Sequence, residues 1–174
     1  MDDYSRYILA WQFCRTMKAE DVKETLDKAI ERTGVEKVQV VHRPRLLSDY
    51  GPCYISRELK SCLEKQDIRH LRTRVYHPMT QGKIERYHRS MKNLILLDNY
   101  YSPTELEARI SEWVDYYNNR RYHEAIDNVT PSDRFLGKDG EILDYRHKIK
   151  SETMRQKRKL YRKVMIENLT ESLS

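Results

Sequence analysis

Short aromatic or β-branched stretches alternate with amphipathic helical stretches through the first half of the chain, and this alternation restricts it to folds in which helices pack on a sheet. Residues 4–13 (YSRYILAWQF) are dense in aromatic and apolar side chains but too short for a helix, and they predict a half-buried strand. Val22, Leu26, Ala29 and Ile30 then recur at the spacing of one helix face between Ala19 and Thr33, and Gly34 supplies the stop. Val35 to Val41 is β-branched and predicts a buried strand, followed by a loop through Pro44 and a turn at Asp49-Tyr50-Gly51-Pro52. Ser56 can cap a short helix with Leu59, Cys62 and Leu63 inward, and Ile68 to Val75 alternates apolar and basic residues like an exposed strand. The resulting class is α/β.

The second half is helical. After a break at Tyr76-His77-Pro78, a helix starting at Thr80 carries Ile84, Tyr87, Met91, Leu94 and Ile95 as its apolar stripe. Gln81, Glu85, Arg89 and Lys92 share another face, so Glu85 points away from the core. Ser102-Pro103-Thr104-Glu105 combines a capping box with proline at the first helical position, and Leu106, Ile110, Trp113, Val114 and Tyr117 continue at helical spacing. From Arg146 to Lys163 nine Lys/Arg stand against one acid, Glu152, which reads as a basic helical tail outside the core.

With 34% charged residues, 10% aromatics and five each of Gly and Pro, the chain is neither disordered nor low in complexity. Cys14, Cys53 and Cys62 form no CxxC pair and no Cys/His cluster at zinc-finger spacing, so a disulfide framework or structural zinc is not expected. No apolar run reaches the roughly 18 residues that span a bilayer, and the first residues, Met-Asp-Asp-Tyr, lack the pattern of a signal peptide. A cytoplasmic, nucleoid-associated protein with no membrane partner is the expectation. The net charge of +6 makes a polyanion a plausible partner. Arg69, Arg72, Arg74, Lys83, Arg86, Arg89 and Lys92 outnumber the single acid of residues 69–93, Glu85, which suits a phosphate-tracking surface as well as an ordinary solvated one. His42, His70 and His88 are scattered without ligand spacing and read as surface or core-edge residues.

Two carboxylates stand out by position: Asp49 at the end of a buried strand, in its turn, and Glu85 on the polar helix face, with 35 residues between them. Alone, an Asp in a turn is usually a turn former and a Glu on a helix usually solvated. Their context changes this. Leu47-Ser48-Asp49-Tyr50-Gly51 followed by Tyr76-His77-Pro78-Met79-Thr80-Gln81-Gly82-Lys83-Ile84-Glu85-Arg86 resembles the second and third acidic blocks of DDE insertion-sequence transposases, which have a retroviral-type integrase core. The 35-residue gap also matches the family's spacing. Asp2-Asp3-Tyr4-Ser5-Arg6, Tyr117-Asn118-Asn119-Arg120-Arg121-Tyr122-His123 and Thr130-Pro131 extend the resemblance over about residues 2–136.

The resemblance implies an RNase H-like mixed sheet flanked by helices, with Mg²⁺ or Mn²⁺ held by Asp49, Glu85 and a third carboxylate. It implies strand nicking and transfer on DNA, in multimers with other transposase chains. Lys83, Arg86, Arg89, Lys92, Arg72 and Arg74 are the candidate DNA contacts. It divides the chain into a partial catalytic core over 1–98, its C-terminal helical part over 99–140 and a basic helical tail over 141–174. In the family the first catalytic aspartate lies in the first strand, within a Trp-x-x-Asp-x-Thr-like block. Here the matching sequence begins after it, at Asp-Asp-Tyr-Ser-Arg. The expectation is a core lacking its first strand and most of its second, inactive as it stands. The alternative is a non-catalytic remnant that binds DNA or another transposase chain. Asp2 and Asp3 are read as the end of the second strand rather than as ligands, His77 and Pro78 as shapers of the loop before the Glu85 helix, and Tyr50 departs from the Asn common at that position in relatives.

Overall fold

The computed structural model describes residues 1–16, 18–34, 44–72 and 82–171. The expected strand Val35–Val41 and residues His42, Arg74, His77, Pro78, Thr80 and Gln81 lie outside them.

Helix α1 (Ala19–Thr33) ends as its glycine requires: Gly34 adopts φ 63° and its N–H donates to the Ile30 carbonyl. Strand β1 (Arg45–Ser48) is joined by α2 (Arg57–Lys65) to strand β2 (Arg69–Arg72), and the two strands pair in parallel with Leu46 opposite His70 and Ser48 opposite Arg72. The connecting helix is what parallel pairing demands. Ser56 caps α2 by accepting from the Leu59 N–H, and Leu59 and Leu63 are buried with Ile30 and Ile68 in one cluster, which Val22, Leu26 and Leu46 pack against. Arg45–Ser48, between the expected loop through Pro44 and the Asp49 turn, is thus the strand that leads into Asp49. Its strand state comes from pairing with residues 69–72, a non-local cause that local propensity does not reveal.

A second cluster is built by α3 (Gly82–Ile95) and α4 (Pro103–Asn119). Tyr87, Trp113, Val114 and Tyr117 are buried together, with the Tyr87 ring edge-on to Trp113 and Tyr117 at centroid distances of 4.9 and 5.1 Å. Ser102 caps α4 by accepting from the Glu105 N–H as expected, but the Glu105 carboxylate reaches one residue further back, to the Tyr101 N–H. The chain then passes through a short bridge between His123 and Val129 into α5 (Pro131–Phe135), where Thr130 and Asp133 form a reciprocal capping box. Last comes α6 (Asp139–Glu171), 33 residues and so about 50 Å long. Every residue from 144 to 166 on it is exposed, as a basic tail outside the core requires.

Residues 4–13 do not form a strand among the described residues. Asp2 opens a tight turn instead, its carboxylate accepting from the Ser5 N–H and hydroxyl, and Arg6 takes a left-handed φ of 68°. The extended stretch that follows has its backbone satisfied by a side chain. The buried Asn118 amide accepts from the Ile8 N–H at 2.8 Å and donates to the Ile8 carbonyl at 3.2 Å, doing for one residue what a neighbouring strand would do for several. Around this pair, Ile8 and Trp11 pack on the α3–α4 cluster. Tyr7 stacks on Phe135 at 4.7 Å and accepts from Arg32 of α1.

Replacing Asn118 with Ala strands two buried backbone groups, each worth about 1–3 kcal/mol when unsatisfied, so urea denaturation should show a loss of at least about 2 kcal/mol. An unchanged midpoint would mean that Ile8 finds other partners. Acid should also destabilise the fold through His123. Burial, with Arg121 and Arg6 nearby, lowers its pKa to about 4, and its Nε2 has no hydrogen-bond partner among the described residues. The unfolded chain titrates near 6.5 and binds the proton first, so this contribution is complete above about pH 6.5 and fades as pH falls towards 4. His70 and His88, also lowered by burial, act with the same sign. His123→Phe should flatten the pH dependence of the urea midpoint across that window, and an unaltered slope would contradict the assignment.

Candidate active site

Ser48, the last residue of β1, is buried and aims its hydroxyl at the turn that follows. Ser48 Oγ donates to the Asp49 carbonyl at 2.9 Å and lies 2.8 Å from Nε2 of His70 on the paired strand. A hydroxyl has one proton to give, so with that proton on the Asp49 carbonyl the imidazole is the donor and Nε2 carries its hydrogen. Burial, with the charge of Arg72 nearby, lowers the His70 pKa and favours the neutral ring. The parallel register thus anchors the backbone of Asp49 from the neighbouring strand.

The Asp49 carboxylate is exposed, and its Oδ1 accepts from the Gly51 N–H at 2.8 Å, closing an Asx turn. A Cβ on Gly51 would come within 3.0 Å of that oxygen, so the glycine is there for close approach. Tyr54 sits behind the turn, its phenol pKa raised by burial and by the nearby Cys53 and Asp49.

Glu85 lies in the first turn of α3 and is exposed, away from the stripe in which Tyr87 is buried and Ile84, Met91 and Leu94 are half-buried. The turn before it is tied to the start of the chain: Lys83 Nζ pairs with Asp3 Oδ1 at 2.6 Å and donates to the Asp3 carbonyl at 3.2 Å. Asp3 also receives Arg6, so its carboxylate holds two cations. Asp49 therefore stands on the α1–α2–sheet cluster, whereas Glu85 stands on the α3–α4 cluster. Among the described residues no three His, Cys, Asp or Glu side chains gather into a metal-binding group.

Of the candidate DNA contacts, Arg72, Arg89 and Lys92 are exposed. Arg86 is exposed too but turns its guanidinium back onto the Gly82 carbonyl, and Lys83 is engaged by Asp3. Sequence reasoning missed the role of Ser48. Strand alternation from Leu46 could have placed it inward, but its partner His70 follows from the register alone.

Two family models for the integrase core domain match the chain in succession, one over residues 1–78 and the other over residues 66–131. The chain belongs to the integrase core family. Asp49 falls within the first match and Glu85 within the second. The transposase for insertion sequence element IS904 of Lactococcus lactis subsp. lactis (strain IL1403) is 23% identical over 135 residues, covering 76% of this chain and 51% of the relative. A relative from Escherichia coli (strain K12), for insertion sequence element IS150, is 22% identical over 132 residues. The chain spans about half the length of the curated relatives it matches.

Among solved structures, the catalytic core domain of BIV integrase superposes with a TM-score of 0.55 at 21% identity, covering 80% of this chain and 84% of that one. A chain of the simian T-cell lymphotropic virus intasome in complex with PP2A regulatory subunit B56 gamma gives 0.57 at 21% identity, over 70% of this chain and 41% of that one. The fold is that of the retroviral integrase catalytic core, RNase H-like, of which the described residues carry two parallel strands.

Proposed function

We propose that this chain is the part of a transposase that supplies two carboxylates, Asp49 and Glu85, to metal-dependent cutting and joining of DNA strands. The observation that carries the reading is the order of the two integrase-core matches, with an exposed acid in each: one in the turn after a strand, the other in the first turn of a helix. Oxygen donors of this kind suit a hard cation such as Mg²⁺ or Mn²⁺. When bound, such ions activate a water or 3′-hydroxyl nucleophile and stabilise the leaving oxygen. Asp49 and Glu85 would hold the metal. The chain's own contribution is to fix them: Ser48 and His70 hold the Asp49 backbone, the Gly51 N–H orients its carboxylate, and the α3–α4 aromatic cluster fixes the helix that carries Glu85. A third oxygen ligand is needed for a metal pair, and Asp3 is a poor one while Lys83 and Arg6 occupy it.

A second reading, a DNA-binding segment without catalysis of its own, draws on α6. Among its described residues Lys148, Lys150, Lys157, Arg158, Lys159 and Arg162 have no acidic partner, and Arg155 pairs only loosely with Glu152 at 3.7 Å. DNA, acted on together with further transposase chains, is the partner under either reading.

Strand joining on a pre-cut transposon end separates the two. The chain alone should not join strands with Mg²⁺ or Mn²⁺, whereas the chain preceded by a family-like N-terminal segment with its aspartate should. Glu85→Gln or Asp49→Asn in the extended chain should then lower joining by at least about 100-fold, the upper end of what even an outer-shell partner of a metal site costs. Joining by the extended chain that survives Glu85→Gln would sink the catalytic reading, and joining by the unextended chain that is lost with Asp3→Asn would make Asp3 the third ligand. Affinity for duplex DNA should meanwhile fall steeply between about 50 and 200 mM salt, as phosphate-led binding does. Constant affinity over that range would rule such a mode out.

A further inference from the structure

Beside the Asp49 turn lies an open pocket of about 550 Å³, within the roughly 300–1,000 Å³ of ligand clefts. Its walls combine three kinds of surface. Tyr50, directly after Asp49 and half exposed, brings an aromatic ring; Lys60, Arg69 and Arg72 bring cations; Leu63 and Ile68 contribute apolar surface. Among the described residues that line it the one acid is Glu64, 3.8 Å from Lys60 one helical turn away. His70, which anchors the Asp49 backbone through Ser48, lines the same pocket.

We propose that this pocket is a subsite for one unpaired nucleotide of a DNA strand, with the base stacked on Tyr50 and its flanking phosphates held by Arg69, Arg72 and Lys60. A ring beside a cationic track is the arrangement by which proteins hold single strands without reading their sequence, because every base has a π-face and every linkage a charge. A double-stranded backbone would use the cations and leave the ring idle. An exposed tyrosine next to a candidate metal ligand therefore favours a strand whose bases are unstacked near the point of cutting. This placement rests on the reading of Asp49 as part of the reacting site, while the nucleotide-binding chemistry rests on the pocket alone. The Tyr50 ring is half exposed and belongs to neither hydrophobic cluster, so its removal tests binding more than stability.

The test uses the full chain in EDTA, so that no reaction is required, and a duplex ending in a short single-stranded overhang with 2-aminopurine at the first unpaired position. Binding should quench the probe, as stacking does, and the overhang duplex should bind more tightly than a blunt duplex of the same length. Tyr50→Phe should keep both properties. Tyr50→Ala should lose the quenching and weaken binding to the overhang by at least about fivefold, the low end of what one base–aromatic stack supplies, with blunt-duplex affinity unchanged. Replacing Arg69 and Arg72 with Gln should weaken both duplexes. Quenching that persists in Tyr50→Ala, or equal affinity of the unaltered chain for overhang and blunt ends, would overturn the proposal in favour of a plain duplex-backbone contact. Loss of this proposal with intact joining by the extended chain removes the subsite alone. Quenching that holds while Glu85→Gln leaves joining intact removes the catalytic reading and keeps the subsite.

Discussion

The two hydrogen bonds between the Asn118 amide and the backbone of Ile8 join residues 110 positions apart, and the way the two hydrophobic clusters are fastened to each other depends on them. They fix an extended N-terminal stretch against the last turns of α4. From there the stretch reaches in both directions: Trp11 packs on the aromatic cluster, while Gln12 bonds Glu24 and Lys28 of α1. Two small hydrophobic cores, neither large enough to dominate, are thereby held by one strip of chain. A buried amide with both its donor and its acceptor satisfied is an economical fastener, and a severe liability once either is lost.

This arrangement also divides the candidate site. Asp49 owes its position to strand register, through Ser48 and His70, whereas Glu85 owes its position to aromatic packing between α3 and α4. The Lys83–Asp3 ion pair links the second of these to the start of the chain. It is largely exposed on the acid's side, so it contributes orientation more than stability. Geometry between the two acids is then a property of how the cores are fastened together, and not of either acid's local surroundings.

What could be read from the sequence was what local chemistry decides. Gly34, Ser56 and Ser102 mark helix ends because each acts within four residues of itself, and the Asp49-Tyr50-Gly51 turn is legible because an Asx turn needs only its own carboxylate and a nearby N–H. The exposed face of Glu85 follows from helical periodicity in the same way. What could not be read was set by distant partners. Arg45–Ser48 is a strand because residues 69–72 lie beside it. Residues 4–13 have strand propensity, yet Asn118 takes the place of a strand partner. Lys83 looks like a free cation until Asp3 folds against it. The inward turn of Ser48 was available from alternation, but only the register supplies His70 as its neighbour.

Helix α6 has a further consequence. Arg146 ties it to the body of the fold, donating to the Asn128 carbonyl and lying over the Tyr122 ring. The residues from 147 to 166 are all exposed, so helicity there rests mainly on local terms, and several of those oppose it: Arg155 and Lys159, like Arg158 and Arg162, are like charges one turn apart. Such a segment is close to the balance between helix and coil in water. Neutralising its cations would tip that balance. The tail would then act as a gauge of negative charge, with its degree of order set by whatever surface of phosphates or carboxylates it meets, and an encounter with a polyanion would lengthen and stiffen it by removing the repulsion that frays it.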